Sequence, residues 1–402
     1  MFILDTYTII FSSVLLFAAL LSSIISPLFR RPRLSESYNK EDIAEETTEE
    51  YITSAQPIEK DVEKVIEPSI SIILTPNDDA LALSKNLNKY LNQDYKDFEI
   101  IVVAPKGDVE TEDILKTYAN NPRLYVTFIP STSKYMSRKK LAITLGAKAA
   151  KYEWLLICDI FCVPQSEYWL SALARNCNEN VNIVAGYTNY DDDSPDFWRF
   201  EHLYMSCYLM REAQKGTAYA WNSNALLFKK DEFLAKEGFR GNLKYVRGEF
   251  DFIVNKYARK GSTAIENSME GTLIEETPTC KHWINKHLYY LEDRRHLKRS
   301  IRHRLPFYID QMAVYFNYLL IIVCSLYAIY TSNWIICIVS ILSFIVTLSL
   351  RIFIGKKTLS LFNIVIPAWK IIPYELRIVW QNLGYRIKYW QANKYDFISH
   401  KL

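Results

Sequence analysis

The hydrophobic pattern changes character three times along the chain. Between Thr8 and Phe29 there is no charged residue, and Ile9 to Ile25 is almost wholly apolar, enough for the roughly 20-residue helix that spans a bilayer. Asp5 precedes this run and Arg30, Arg31 and Arg33 follow it, the reverse of a cleaved signal peptide's order. Residues 1–33 therefore read as an uncleaved anchor with the amino terminus outside and the following chain inside. Residues 34–68 are acidic and polar without apolar period, which predicts a solvated linker.

From Ser69 onward, short β-branched runs alternate with segments of helical period. Strands are predicted at Ser69–Leu74, Phe98–Val103, Leu124–Ile129, Trp154–Cys158, Asn182–Tyr187 and Ala225–Phe228. Helices are predicted at Ala80–Asn92, Thr111–Ala119, Arg138–Lys151, Glu167–Cys177, Pro195–Gln214, Asp231–Glu237 and Phe250–Arg259. This alternation predicts an α/β domain over 69–299, with a mostly parallel sheet covered by helices on both faces. A third regime begins after the basic stretch Ser300–Arg304: no Lys, Arg, Asp or Glu occurs from Gln311 to Leu350, and only Thr331-Ser332-Asn333 interrupts the apolar run. Two spans over 300–358, joined by a tight outer turn and flanked by cytosolic basic residues, account for it. Residues 359–402 mix aromatic and basic residues around Pro367 and Pro373, the pattern of helices lying on the inner leaflet.

Composition narrows the class without changing this outline. With 402 residues, half of them hydrophobic, and a net charge of +3, the chain is neither disordered nor basic enough to point to nucleic acid. Its seven cysteines contain no CxxC pair, so neither a disulfide framework nor a structural zinc site is expected, and Cys158 and Cys162 read as buried thiols. His282, His287, His296 and His303 show no metal-ligand spacing.

Candidate chemistry concentrates in SRKKLAITLGAKAAKYEWLLICDIFCVP, Ser137 to Pro164. A helix opening with Arg138, Lys139 and Lys140 leads to a buried strand that ends in Asp159. Ligands of open α/β sheets gather at that carboxyl edge. Cations at a helix N-terminus oppose the macrodipole, so they argue for an anion nearby.

The order of motifs from Pro68 to Arg295 resembles the family-2 type glycosyltransferases of GT-A fold, in their membrane-anchored bacterial form. SIILTPNDDA resembles the family's opening strand and nucleotide loop, FEIIVVA its second strand, and CDIF its DxD region. WNSNALLFKKDEFLAKEGF resembles the acceptor-side segment, RGEFDF the Glu-Asp base motif, and HWINKHLYY stands where many members carry QxxRW. Four positions depart from the pattern: Ala104 replaces the acid that grips the base, Phe161 the second DxD carboxylate, Phe250 the Asp of the Glu-Asp pair, and QxxRW is missing.

What the resemblance implies is inverting transfer of a sugar from a nucleotide-sugar donor to a lipid-linked or membrane-proximal glycan acceptor. The setting would be the cytosolic face of a bacterial inner membrane. Donor-binding residues would be Pro76, Asp78, Asp79, Arg138, Lys139 and Asp159, with Asp159 also ligating a Mg²⁺ or Mn²⁺ ion. Glu249 or Asp251 would be the catalytic base, and Trp221, Asn222, Asn224, Tyr289 and Tyr290 would face the acceptor. The altered motifs admit, as the alternative, a catalytically silent relative serving as a scaffold in a glycan-assembly complex.

Overall fold

The computed structural model describes residues 5–38, 67–77, 79–130 and 137–398; most of the expected acidic linker lies outside them. The chain divides into two compact units. One holds Met1–Arg33, Asp192–Glu212 and Pro278–Ala392, the other Leu34–Asp191, Ala213–Thr277 and Asn393–Leu402.

In the first unit, three helices among the described residues are long and apolar enough to cross a membrane: Thr6–Ile25, Ser300–Tyr330 and Trp334–Leu361. The first begins at Asp5, whose carboxylate accepts from the N–H of Thr8 at 2.7 Å, satisfying one of the donors that a helix start leaves open. The three pack around Leu15, Ile321, Cys324, Ala328 and Ile336. The last helix runs eleven residues past Leu350, because Arg351 is not a solvated flank. Its guanidinium is buried, donating to both carboxylate oxygens of Glu375 at 2.7 and 3.0 Å and to the Ser22 carbonyl at 2.6 Å. A buried ion pair is tolerable when its remaining hydrogen-bonding positions are filled in this way. Helices Cys280–Asp293 and Ile371–Gln391 complete the unit together with most of helix Asp196–Lys215.

The second unit is built on a seven-stranded sheet. Its strands are β1 (Ile70–Leu74), β2 (Phe98–Pro105), β3 (Leu124–Ile129), β4 (Trp154–Cys158), β6 (Ile183–Gly186), β8 (Ala225–Lys229) and β9 (Thr263–Glu266), in the order β3-β2-β1-β4-β8-β6-β9. Strands β1 to β4 run parallel, and β8 is antiparallel to both its neighbours, so the expected mostly parallel sheet is present. Strand β1 is ISIIL with every residue buried, the near-continuous apolar run required of a strand covered on both faces. Helix Arg138–Ala149 lies so close to it that a Cβ on Gly146 would stand 2.7 Å from Cγ2 of Ile73.

A second sheet joins β5 (Cys162–Pro164), β10 (Leu273–Glu275) and β7 (Thr188–Tyr190). These three-residue strands are too short to show an alternation of their own, and no sequence signal predicts them.

Candidate active site

Strand β1 has β2 on one side and β4 on the other, and such a switch in strand order opens a crevice at the carboxyl ends. Register pairs Leu74 with Cys158, so the chain leaves β1 and β4 side by side, bringing the Pro76–Asp79 loop next to Asp159. The turn after β4 is held from below by helix Ala80–Leu91. Nδ2 of Asn86 donates to the Ile160 carbonyl at 2.8 Å, and the Tyr90 hydroxyl donates to the Cys162 carbonyl at 2.5 Å. Both anchors are buried, which fixes the Asp159 backbone before any ligand arrives.

The third wall is the loop leading to helix Glu249–Tyr257. Lys140, fully buried, donates to the carbonyls of Asn242, Tyr245 and Arg247 at 3.1, 2.7 and 2.8 Å and to Oδ1 of Asn242 at 2.6 Å. Four oxygens satisfy an ammonium that burial would otherwise penalise. At the end of this loop Gly248 has φ of 88°, a left-handed backbone that suits a residue without Cβ. Glu249 follows in the helix's first turn. The chain's end contributes as well: the N–H of Val246 donates to the Phe397 carbonyl at 3.1 Å, and Tyr245 bridges Ile398.

These elements converge on Lys139. Its ammonium donates to the Asp159 carboxylate, pairs with Oε1 of Glu249 at 2.7 Å, and lies 5.3 Å from the centre of the Phe250 ring. Burial works against the ammonium, but Asp159 and then Glu249 outweigh it and hold the group above the ordinary lysine range. Burial likewise pushes the Glu249 carboxyl up, yet Lys139, Arg247 and Lys140 together bring it down to about 2. Asp79 is raised by burial; its hydrogen bond from the Asn77 N–H opposes the rise, and the nearby Asp159 charge adds to it. Oε2 of Glu249 is buried without a hydrogen-bond partner, an uncommon state for a carboxylate oxygen.

Of the residues expected from sequence, the structure brings Asp79, Lys139, Asp159 and Glu249 together. Pro76 is buried in the adjoining loop, Arg138 is exposed beside Lys139, and Asp78 lies outside the described residues. Asp251 is buried, and its Oδ1 accepts from the N–H of Trp221 at 2.9 Å. Trp221 is itself buried, donating through Nε1 to the Gly186 carbonyl at 3.0 Å. Asn222 is buried, and Asn224 donates to Oε2 of Glu275 at 2.8 Å, tying β8 to β10. Tyr289 and Tyr290 are half-buried on helix Cys280–Asp293, in the other unit.

Sequence reasoning missed Arg247. It is exposed, and its charge acts on Asp79, Lys139 and Glu249. Its place immediately before Gly248-Glu249 was the available signal.

A protein-held divalent cation does not fit this donor set. Among the described residues no three His, Cys, Asp or Glu side chains are grouped to hold a metal. Asp159 is the one DxD carboxylate, and it already carries the Lys139 ammonium. A dication about 5 Å from that ammonium would meet a repulsion of about 7 kcal/mol at an effective dielectric near 20.

Residues 71–233 match the family described as Glycosyl transferase family 2. Among solved structures, similarity is found to the mannosyltransferase PcManGT from Pyrobaculum calidifontis in complex with GDP-Man and Mn²⁺. Identity there is 13%, the TM-score is 0.48, and 93% of this chain and 98% of that one are covered. The S. aureus TarS fragment 1–349 in complex with UDP-GlcNAc is 12% identical with a TM-score of 0.40, covering 59% of this chain and 70% of that one. No curated protein matches the chain.

Proposed function

We propose that the chain, whose residues 71–233 match Glycosyl transferase family 2, transfers a sugar from a nucleotide-sugar donor with inversion. The acceptor is a lipid-linked or membrane-proximal glycan. In this reading the acceptor oxygen bonds to the anomeric carbon as that carbon's bond to the diphosphate breaks. The hydroxyl proton passes to a carboxylate, and the nucleoside diphosphate leaves.

One observation carries the proposal. Lys139, Asp159 and Glu249 meet at the carboxyl edge of the sheet, and Glu249 keeps one buried oxygen without a partner. That oxygen supports Glu249 over Asp251 as the base, since Asp251 is engaged with the Trp221 backbone. A carboxylate held down at about 2 is a weak base while paired; proton removal therefore accompanies a shift of the Lys139 ammonium toward the diphosphate. Asp79 and Arg138 line the donor side, and Trp221, Asn222 and Asn224 support the acceptor side from within.

The three apolar helices and the basic residues after the first support placement in a bacterial inner membrane, with the catalytic unit in the cytosol and the 371–391 helix on the inner leaflet.

The test is titration of the full chain in detergent with UDP- and GDP-sugars, followed by turnover. Donor hydrolysis or transfer is expected, and Glu249→Gln should lower it by about 100-fold or more while donor affinity is retained. Absence of donor binding defeats the proposal. Binding without turnover favours a silent scaffold instead, a reading that Phe161 and Phe250 at the motif positions support.

A further inference from the structure

We infer that the Lys139 ammonium, together with the Arg247 guanidinium carried on the loop before Glu249, neutralises the donor's diphosphate in place of a divalent cation. This deepens the proposed function and rests on it. Two of the departures from the family pattern meet at one atom. At Phe161 the second carboxylate is lost, and the remaining one, Asp159, accepts from Nζ of Lys139. At Phe250 another carboxylate is lost, and an aromatic ring takes its place 5.3 Å from the same Nζ, a face that attracts cations. Glu249 closes the set at 2.7 Å. Fewer acids and an added aromatic face weaken a dication's cage while suiting a monovalent ammonium.

Fixed cations fit the role of counter-ion in two further respects. Lys139 and Lys140 are neighbours with separate tasks: Lys140 donates into the 242–247 loop, the loop that ends in the exposed Arg247. The helix that carries Lys139 also starts open. Ser137, at its cap position, makes no side-chain cap bond and donates through Oγ to the Val246 carbonyl at 2.7 Å. Among the described residues no side chain caps the leading N–H groups of the 12-residue helix Arg138–Ala149, and such groups suit phosphate oxygens alongside the ammonium. Lysine and arginine together supply a point charge and a planar fork. During transfer, the negative charge gained by the departing diphosphate is met by these two groups, with no further reactant required.

The experiment is calorimetric titration of the full chain in detergent with UDP and with GDP, in excess EDTA and again in excess Mn²⁺. Affinity for the preferred nucleotide is expected to agree within about 2-fold between the two conditions, and Arg247→Ala should weaken it by about 10-fold in both. Lys139→Met should weaken it by about 30-fold or more, and Lys139→Arg should recover part of the loss. Arg247 is exposed, so its variant tests the inference even if Lys139→Met fails to fold. Loss of affinity in EDTA beyond about 10-fold, restored by Mn²⁺, overturns the inference and leaves the glycosyltransferase reading standing. No binding in either condition overturns both.

Discussion

At the level of single residues, the site is organised by one buried ammonium shared between two carboxylates. Glu249 has the larger energetic consequence. Its carboxyl is held at about 2 in the folded protein against about 4.3 in an unfolded chain. The folded-state value is the lower of the two, so the stability it adds is present above the unfolded value and is lost as pH falls from about 4.5 toward 2. The size is about 3 kcal/mol by proton linkage. Glu249→Gln is therefore expected to flatten the acid limb of the stability curve in that window, read as melting temperature against pH. An unchanged slope would show that the ion pair with Lys139 does not form in solution. The acids themselves were legible from sequence because each falls at a recognisable motif position. Their shared partner was not, because pairing between residues 139, 159 and 249 depends on three separate elements meeting.

Among the elements, helix Arg138–Ala149 does two jobs, packing on β1 and anchoring the loop before Glu249. Gly146 permits the first. Its substitution by Ala gains up to about 1 kcal/mol of helix propensity but places a methyl 2.7 Å from Cγ2 of Ile73. That methyl sits on a β-branched side chain with little rotamer freedom. Gly146→Ala is expected to lose about 1 to 2 kcal/mol net, measured by denaturant unfolding; a gain would mean the helix can slide away from the sheet. Lys140 performs the second job. Lys140→Met leaves three backbone carbonyls and one side-chain oxygen without their donor, at a cost of about 3 kcal/mol. Faster hydrogen exchange confined first to residues 242–248 is the expected signature, and unaltered exchange there would refute the anchoring role. From sequence, Arg138, Lys139 and Lys140 read as one cationic helix start. Side-chain directions on a helix differ by about 100° per residue, so adjacent lysines face different surroundings, and only the packing shows which.

At the scale of the whole molecule, three apolar helices and one exposed thiol make the proposed orientation testable. Of the seven cysteines, Cys280 alone is exposed and the rest are buried or half-buried. With the globular part inside, a membrane-impermeant maleimide should label Cys280 only after permeabilisation. A Ser332→Cys variant on a Cys280→Ser background should be labelled in intact cells, since Ser332 lies in the turn between helices Ser300–Tyr330 and Trp334–Leu361; the opposite pattern inverts the topology. The long apolar helices and the order of sheet and helices could be read directly from the chain, because a helix fit to lie in lipid needs a long apolar run and a strand of a parallel sheet a short β-branched one. The three-residue strands, the burial of Arg351 against Glu375, and the return of residues 397 and 398 to the loop before Glu249 left no periodic trace. Each depends on contacts between residues distant in sequence. For the same reason sequence could mark Asp159 as a candidate metal ligand and Glu249 as a candidate base, while only the folded arrangement showed that both carboxylates pair with the Lys139 ammonium.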